Sequence, residues 1–199
     1  MNDDLQRLSA WSTPRGRLHL AHTARDRPHL ADLSPAFLAC GEELLAQGHR
    51  LDGAFCLRAA EYFMAPAQAR QLGLRDRFVS ILREVYGVRP DQIHAIPYGR
   101  GELVAYDFGR PNQGTVVLQG GMAAHIEEMF PFVRALTDAG YRVIAFEGPG
   151  QGGPLEEWGM PLEADWHKPM GALLDWFDLD DVTVIGMSLG SLLAIRVFT

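Results

Sequence analysis

The chain has 199 residues, 47% of them hydrophobic and 22% charged, enough apolar material for one ordinary domain or a domain with a small appendage. That balance excludes a disordered or fibrous chain, and a formal net charge of −7 argues against nucleic acid or an anionic membrane as partner, since both call for clustered positive charge. Lys168 is the only lysine, and the arginines are scattered without forming a patch.

Met1-Asn2-Asp3-Asp4 is acidic where a secretory leader needs positive charge, and the stretch 182–195 is too short and too polar to span a bilayer, so a soluble, cytoplasmic protein is expected. Residues 1–32, rich in arginine, histidine and proline with weak periodicity, read as an extended or loosely packed N-terminal arm. Ser34-Pro35, a capping hydroxyl followed by proline, predicts a helix start, with the helix running to about Gln47 before Gly48 stops it. Apolar residues at helical spacing from Leu51 to Ala65, and again at Phe78, Ile81, Leu82 and Val85, predict two more helices and make 33–88 a helical, cap-like segment. Cys40 and Cys56 sit among apolar residues of these helices, show no metal-ligand spacing, and are expected as two reduced thiols.

From Pro90 the period changes. Ile93, Ala95 and Pro97, then Leu103, Ala105 and Tyr106, flank a Tyr98-Gly99-Arg100-Gly101 turn and predict an antiparallel hairpin. Thr115-Val116-Val117-Leu118 is a wholly apolar run suited to a parallel strand buried on both faces. A helix near 125–139, a strand from Tyr141 to Phe146, a Gly/Pro-rich linker over 147–161, a helix near 165–178 and the strand Val182-Thr183-Val184-Ile185 follow. This alternation predicts an α/β fold with a mostly parallel, doubly wound sheet over 89–199.

Gly186-Met187-Ser188-Leu189-Gly190 lies between that last strand and the helix-like Ser191-Leu192-Leu193-Ala194-Ile195, which is the context of a nucleophile elbow. Ser188 is the candidate nucleophile, and Gly186 and Gly190 are the glycines so sharp a turn needs. The amide of Leu189, at a helix N-terminus, is suited to hold an oxyanion. Gln119-Gly120-Gly121-Met122 ends the first parallel strand, so the amide of Met122 is the second oxyanion candidate, with Gly121, His125 and Glu147 as pocket-lining candidates. Only eleven residues follow Ser188, and all seven histidines precede it, so none stands where a triad histidine is expected in chain order. His125 and His167 are weak substitutes, because no carboxylate placed to orient either is evident. The Gly-x-Gly-x-x-Gly pattern over 148–153 raises a dinucleotide site, but Pro154 and Pro161 follow where a helix should open, so the segment reads as a loop walling the pocket.

Through Gln119-Gly120-Gly121-Met122 with His125-Ile126-Glu127-Glu128, Phe146-Glu147-Gly148-Pro149-Gly150-Gln151-Gly152, and Gly186-Met187-Ser188-Leu189-Gly190, the chain resembles the α/β-hydrolase superfamily. More narrowly it is similar to the group containing the fermentation-respiration switch protein and 2,6-dihydroxypseudooxynicotine hydrolase, over roughly 35–199. The resemblance implies a helical segment ahead of the core that contributes to the cover over the active site. It also implies Ser188 as nucleophile, Met122 and Leu189 as oxyanion donors, and an acid and a histidine that lie outside these residues, as in a chain truncated after the nucleophile helix. The expected function is a serine hydrolase of esters, amides or ketone-adjacent C–C bonds, forming an acyl-enzyme on a small-molecule substrate without metal or other cofactor. The alternative is a non-catalytic, hydrolase-like binding module that lacks a general base. On either reading the elbow strand is an exposed sheet edge, open to a homo-oligomer or a strand-completing partner.

Overall fold

Helix formation begins earlier in the chain than the apolar periodicity suggests. The computed structural model describes residues 5, 6, 9, 10, 12–25, 29–110 and 112–197, and they fall into two compact units, one ending at Gly87 and one beginning at Val88. In the first unit, α1 (Pro14–Ala24) occupies part of the region read as an arm. Thr13 accepts a hydrogen bond from the Gly16 N–H at 2.9 Å and Pro14 opens the first turn, so capping chemistry starts a helix where apolar periodicity is sparse.

The helix expected from Ser34-Pro35 is α2 (Leu30–Ala46), and Pro35 lies inside it. Ser34 is therefore not the cap. Its hydroxyl donates to the Ala60 carbonyl at 3.1 Å, tying α2 to α3 (Arg50–Tyr62). A short α4 (Pro66–Gln71), not expected from the pattern, leads through the left-handed Gly73 into α5 (Leu74–Val85). Helices α2 and α3 approach through glycines. A Cβ on Gly41 would lie 2.8 Å from Leu57 Cδ2 and 3.1 Å from the Gly53 carbonyl, and one on Gly53 would lie 2.8 Å from Leu45 Cγ and 3.1 Å from the Gly41 carbonyl. Phe55 of α3 meets Phe78 of α5 edge to face, with ring centroids 5.6 Å apart, and both rings are buried.

The second unit is built on one mixed sheet of order β1-β2-β4-β3-β5. Its strands are β1 (Ile93–Tyr98), β2 (Gly101–Phe108), β3 (Thr115–Gln119), β4 (Arg142–Glu147) and β5 (Thr183–Gly186). The hairpin β1-β2 and the β2-β4 pair are antiparallel, whereas β3 runs parallel to both β4 and β5. Val116 through Gln119 are all buried, because β3 is covered on both edges and both faces. The helix expected near 125–139 is a 3₁₀ turn, Ile126–Met129, followed by α6 (Phe130–Asp138).

The segment over 147–161, read as a linker, contains the one-turn helix α7 (Gly152–Glu156). Helices α8 (His167–Phe177) and α9 (Leu189–Arg196) complete the unit. Ile96, Leu103, Ile144 and Phe146 of the sheet pack with Trp166, Met170 and Leu173 in one core. Among the described residues, β5 pairs with β3 alone, and no helix is long and apolar enough to cross a membrane.

Phe78→Ala removes a fully buried ring from the first unit and is expected to cost about 3–5 kcal/mol, read as a lower urea midpoint at unchanged denaturant slope.

Candidate active site

The backbone of Ser188 turns from β5 into α9 with φ 55° and ψ −123°, a conformation that costs a non-glycine residue about 1–3 kcal/mol. Its neighbours explain how the turn closes. A Cβ on Gly186 would lie 2.1 Å from the Gly190 carbonyl oxygen, and one on Gly190 would lie 2.4 Å from the Gly120 carbonyl oxygen. Only hydrogen fits at either position. Bonds from the Gly190 N–H to the Met187 carbonyl (2.8 Å) and from the Ser191 N–H to the Ser188 carbonyl (3.0 Å) fix the elbow. Ser188 is exposed, and its hydroxyl makes no capping bond to α9, so it is not consumed by the helix it precedes. Leu189 is the first residue of α9, where backbone N–H groups have no acceptor within the helix.

The loop after β3 lies against this elbow. A Cβ on Gly121 would come within 2.9 Å of Ser188 Cβ and 3.3 Å of Ser188 Oγ, so Gly121, and with it the start of the Met122 segment, borders the serine. Met122 is 68% exposed. Ala123 follows in the left-handed region at φ 55°, marking a tight path away from the strand. The structure thus brings together Gly186, Ser188, Leu189, Gly190 and Gly121, with Met122 adjoining.

His125, Glu147 and His167 are placed differently. His125 is buried, and its backbone N–H donates to Glu128 Oε1 at 3.1 Å. Glu147 is buried at the end of β4, and its two carboxylate oxygens accept from the Ile126 N–H at 2.9 Å and the Gly153 N–H at 2.8 Å. His167 is exposed at the first turn of α8. Among the described residues, no cluster of three or more His, Cys, Asp or Glu side chains is arranged to hold a metal ion.

Two glutamines that belong to no catalytic motif hold the site together. Gln119 Nε2 donates to the Gly190 carbonyl at 2.7 Å, while its Oε1 accepts from Trp166 Nε1 at 2.8 Å. Gln151 Nε2 donates to the Gly120 carbonyl at 2.7 Å, and its Oε1 accepts from the Gly148 N–H at 3.0 Å. The end of β3 is thereby bonded to the elbow, to the loop after β4 and to the start of α8. A signal existed in the sequence: an amide at the end of an otherwise apolar strand must find buried partners. A further buried pair, the Tyr106 hydroxyl donating to the Glu127 carboxylate, lies in the same unit, joining β2 to the 3₁₀ turn.

No family model matches the chain. It is 34% identical over 186 residues to the α/β hydrolase psoB of Aspergillus fumigatus, a match covering 79% of this chain and 42% of that protein. It is 29% identical over 196 residues to the hydrolase acrC of Aspergillus aculeatus, covering 80% of this chain and 45% of that protein. Its fold matches the crystal structure of 2,6-dihydroxy-pseudo-oxynicotine hydrolase with a TM-score of 0.65 at 22% identity, over 98% of this chain and 60% of the other. The chain is related to the α/β-hydrolases. It spans less than half the length of these two curated relatives. Within this α/β-hydrolase fold, the strained serine stands at the C-terminal end of β5, beside the end of β3, where open α/β sheets place their ligands.

Gln119→Leu leaves the Gly190 carbonyl and the Trp166 indole N–H without their buried partner. At about 1–3 kcal/mol for each group, urea unfolding is expected to show a loss of about 2–6 kcal/mol.

Proposed function

We propose that the chain carries the nucleophilic half of a serine hydrolase acting on a small-molecule ester, amide or ketone-adjacent C–C bond. The observation that supports this most is the positive φ of Ser188, held between two glycines that admit no side chain. Strain of this kind persists where the surrounding structure over-determines it, and it leaves the serine hydroxyl clear of the sheet.

In this reading Ser188 Oγ attacks the substrate carbonyl carbon, and its proton passes to a base outside these 199 residues, which an acid orients. The carbonyl oxygen, now negative, accepts from the amides of Met122 and Leu189. Each such donor contributes about 3 kcal/mol to the transition state. The tetrahedral species collapses to an acyl-enzyme on Ser188, which water then hydrolyses. Gly121 lines the pocket beside the serine, with Glu147 and His125 holding the wall behind it. The unpaired edge of β5 is where a further strand, from the same protein or a partner, would extend the sheet.

The test is labelling by a fluorophosphonate, which reacts with activated serines, together with turnover of a panel of esters. In a longer native form, Ser188→Ala is expected to abolish labelling and to lower kcat at least about 1,000-fold. Full activity in that variant would end the proposal. The folded 199-residue chain is expected to label slowly or not at all, and absence of labelling in the longer form as well would favour a binding module. Gly121→Val, whose side chain would press on Ser188, is expected to lower kcat/KM about 100-fold or more, measured on the same esters.

A further inference from the structure

The first unit contains a second cluster of nucleophilic groups, unrelated to the serine elbow. Cys40 of α2 and Cys56 of α3 are both free thiols, with their sulfur atoms 3.4 Å apart. The sequence accounts for this proximity. Gly41 and Gly53 let the two helix backbones approach until each glycine would press on the carbonyl of the other if it carried a Cβ. Cys40 adjoins the first of these glycines, and Cys56 lies three residues beyond the second, on the same face of α3. Closing from 3.4 Å to a disulfide bond of about 2 Å asks for a small side-chain rotation rather than a movement of helices.

The two thiols are not equivalent. Cys40 is half-buried and Cys56 is fully buried. The hydrogen bond from the Cys56 thiol holds the Cys40 thiol well below its ordinary value, at about 6, against the opposing effect of burial, with the Thr23 hydroxyl and His19 adding to the lowering and Glu43 opposing it. The same bond and its own burial push the Cys56 thiol up, and Asp52 adds to that. Accessible thiolate beside protected thiol is the arrangement in which one sulfur attacks an oxidant and the other resolves the product.

We propose that Cys40 and Cys56 form a peroxide-reactive dithiol that closes into a disulfide between α2 and α3. The Cys40 thiolate attacks one oxygen of a hydroperoxide. An S–O bond forms and the O–O bond breaks, and the departing hydroxide or alkoxide takes up a proton as water or alcohol. Cys40 is now a sulfenic acid, oxidised by two electrons, and the peroxide is reduced by two. Cys56 sulfur then attacks Cys40 sulfur, the S–S bond forms, the S–O bond breaks, and the hydroxyl leaves with the Cys56 proton as water. Two thiols and one hydroperoxide give one disulfide, one water and one further water or alcohol. The free thiols of the structure are the reduced state of the pair.

The experiment treats the purified 199-residue chain with hydrogen peroxide, quenches it by alkylation, and digests it without reductant. Arg50 lies between the two cysteines, so trypsin leaves them on separate peptides unless they are bonded. The expected result is a monomer about 2 Da lighter at the cysteine-bearing peptides, with the two peptides linked and separated again by dithiothreitol. Cys56→Ser is expected to stop at the sulfenic acid, trapped by dimedone on Cys40, and Cys40→Ser to slow cysteine oxidation about 10-fold or more. Circular dichroism of each variant confirms its fold, and Cys56→Ala serves if Cys56→Ser does not fold. The proposal is overturned if wild type yields no linked peptide, if the link is between two chains, or if Cys40 of wild type proceeds to sulfinic acid as fast as Cys40 of Cys56→Ser.

Discussion

The second unit depends on one close contact, that of the elbow helix with the end of β3. Helix α9 begins so near that strand that Gly190 faces the Gly120 carbonyl and Gly186 faces the Gly190 carbonyl with no room for a methyl group. The approach dictates the glycines, and the glycines in turn permit the sharp turn at Ser188. It also sets where the Gly121 loop passes, since that loop leaves the same strand end and borders the serine. The placement of Ser188 beside the Gly121 loop is thus a consequence of how tightly one helix packs on one strand.

Packing alone would not hold a strained serine. A left-handed non-glycine residue costs about 1–3 kcal/mol, and something must make the relaxed alternative worse. Here the elbow is bonded to the buried Gln119: the Met187 N–H to its carbonyl at 3.1 Å, and the buried Gly190 carbonyl to its side chain at 2.7 Å. Each such bond contributes modestly when formed, but releasing it in a dry interior costs about 1–3 kcal/mol. Relaxing Ser188 would break at least one of them. The Gln119 amide is itself fixed by Trp166, whose ring also lies 2.5 Å from where a Cβ on Gly148 would stand, so the clamp reaches into the core and the loop after β4. The exposed hydroxyl of Ser188 therefore stands on rigid support.

Much of this was readable in the sequence, for identifiable reasons. Strands β3 and β4 were legible because buried strands are continuous apolar runs, β5 because Val182-Thr183-Val184-Ile185 is β-branched throughout, and the elbow because glycines flank Ser188 at a strand-to-helix turn. The start of α2 was misread because Ser34-Pro35 has the chemistry of a cap while serving as a tie between helices, and a hydroxyl that can bond locally can equally bond across an interface. Helix α1 was missed because its evidence is a capping threonine and a proline rather than an apolar stripe. Gln119 stood in plain view at the end of β3 but carries no catalytic group, and its partners, Trp166 and Gly190, are 47 and 71 residues away. The amide at the end of an apolar strand announces buried partners, but at that separation the sequence leaves no local trace of which residues they are.

The glycine-rich segment after β4 shows how a motif is decided by its neighbours. The pattern over 148–153 is that of a phosphate-binding turn, and despite Pro154 a short helix, α7, does form at its end. Yet the Gly153 N–H is bonded to Glu147 Oε2, and the other carboxylate oxygen takes the Ile126 N–H. A Cβ on Gly152 would overlap that carboxylate at 1.9 Å, so the glycine is required by the glutamate and not by a ligand. A carboxylate in this position occupies the Gly153 N–H that a phosphate at this turn would need. By bonding Ile126 on one side and Gly153 on the other, Glu147 joins the segment that descends from the Met122 loop to the loop after β4.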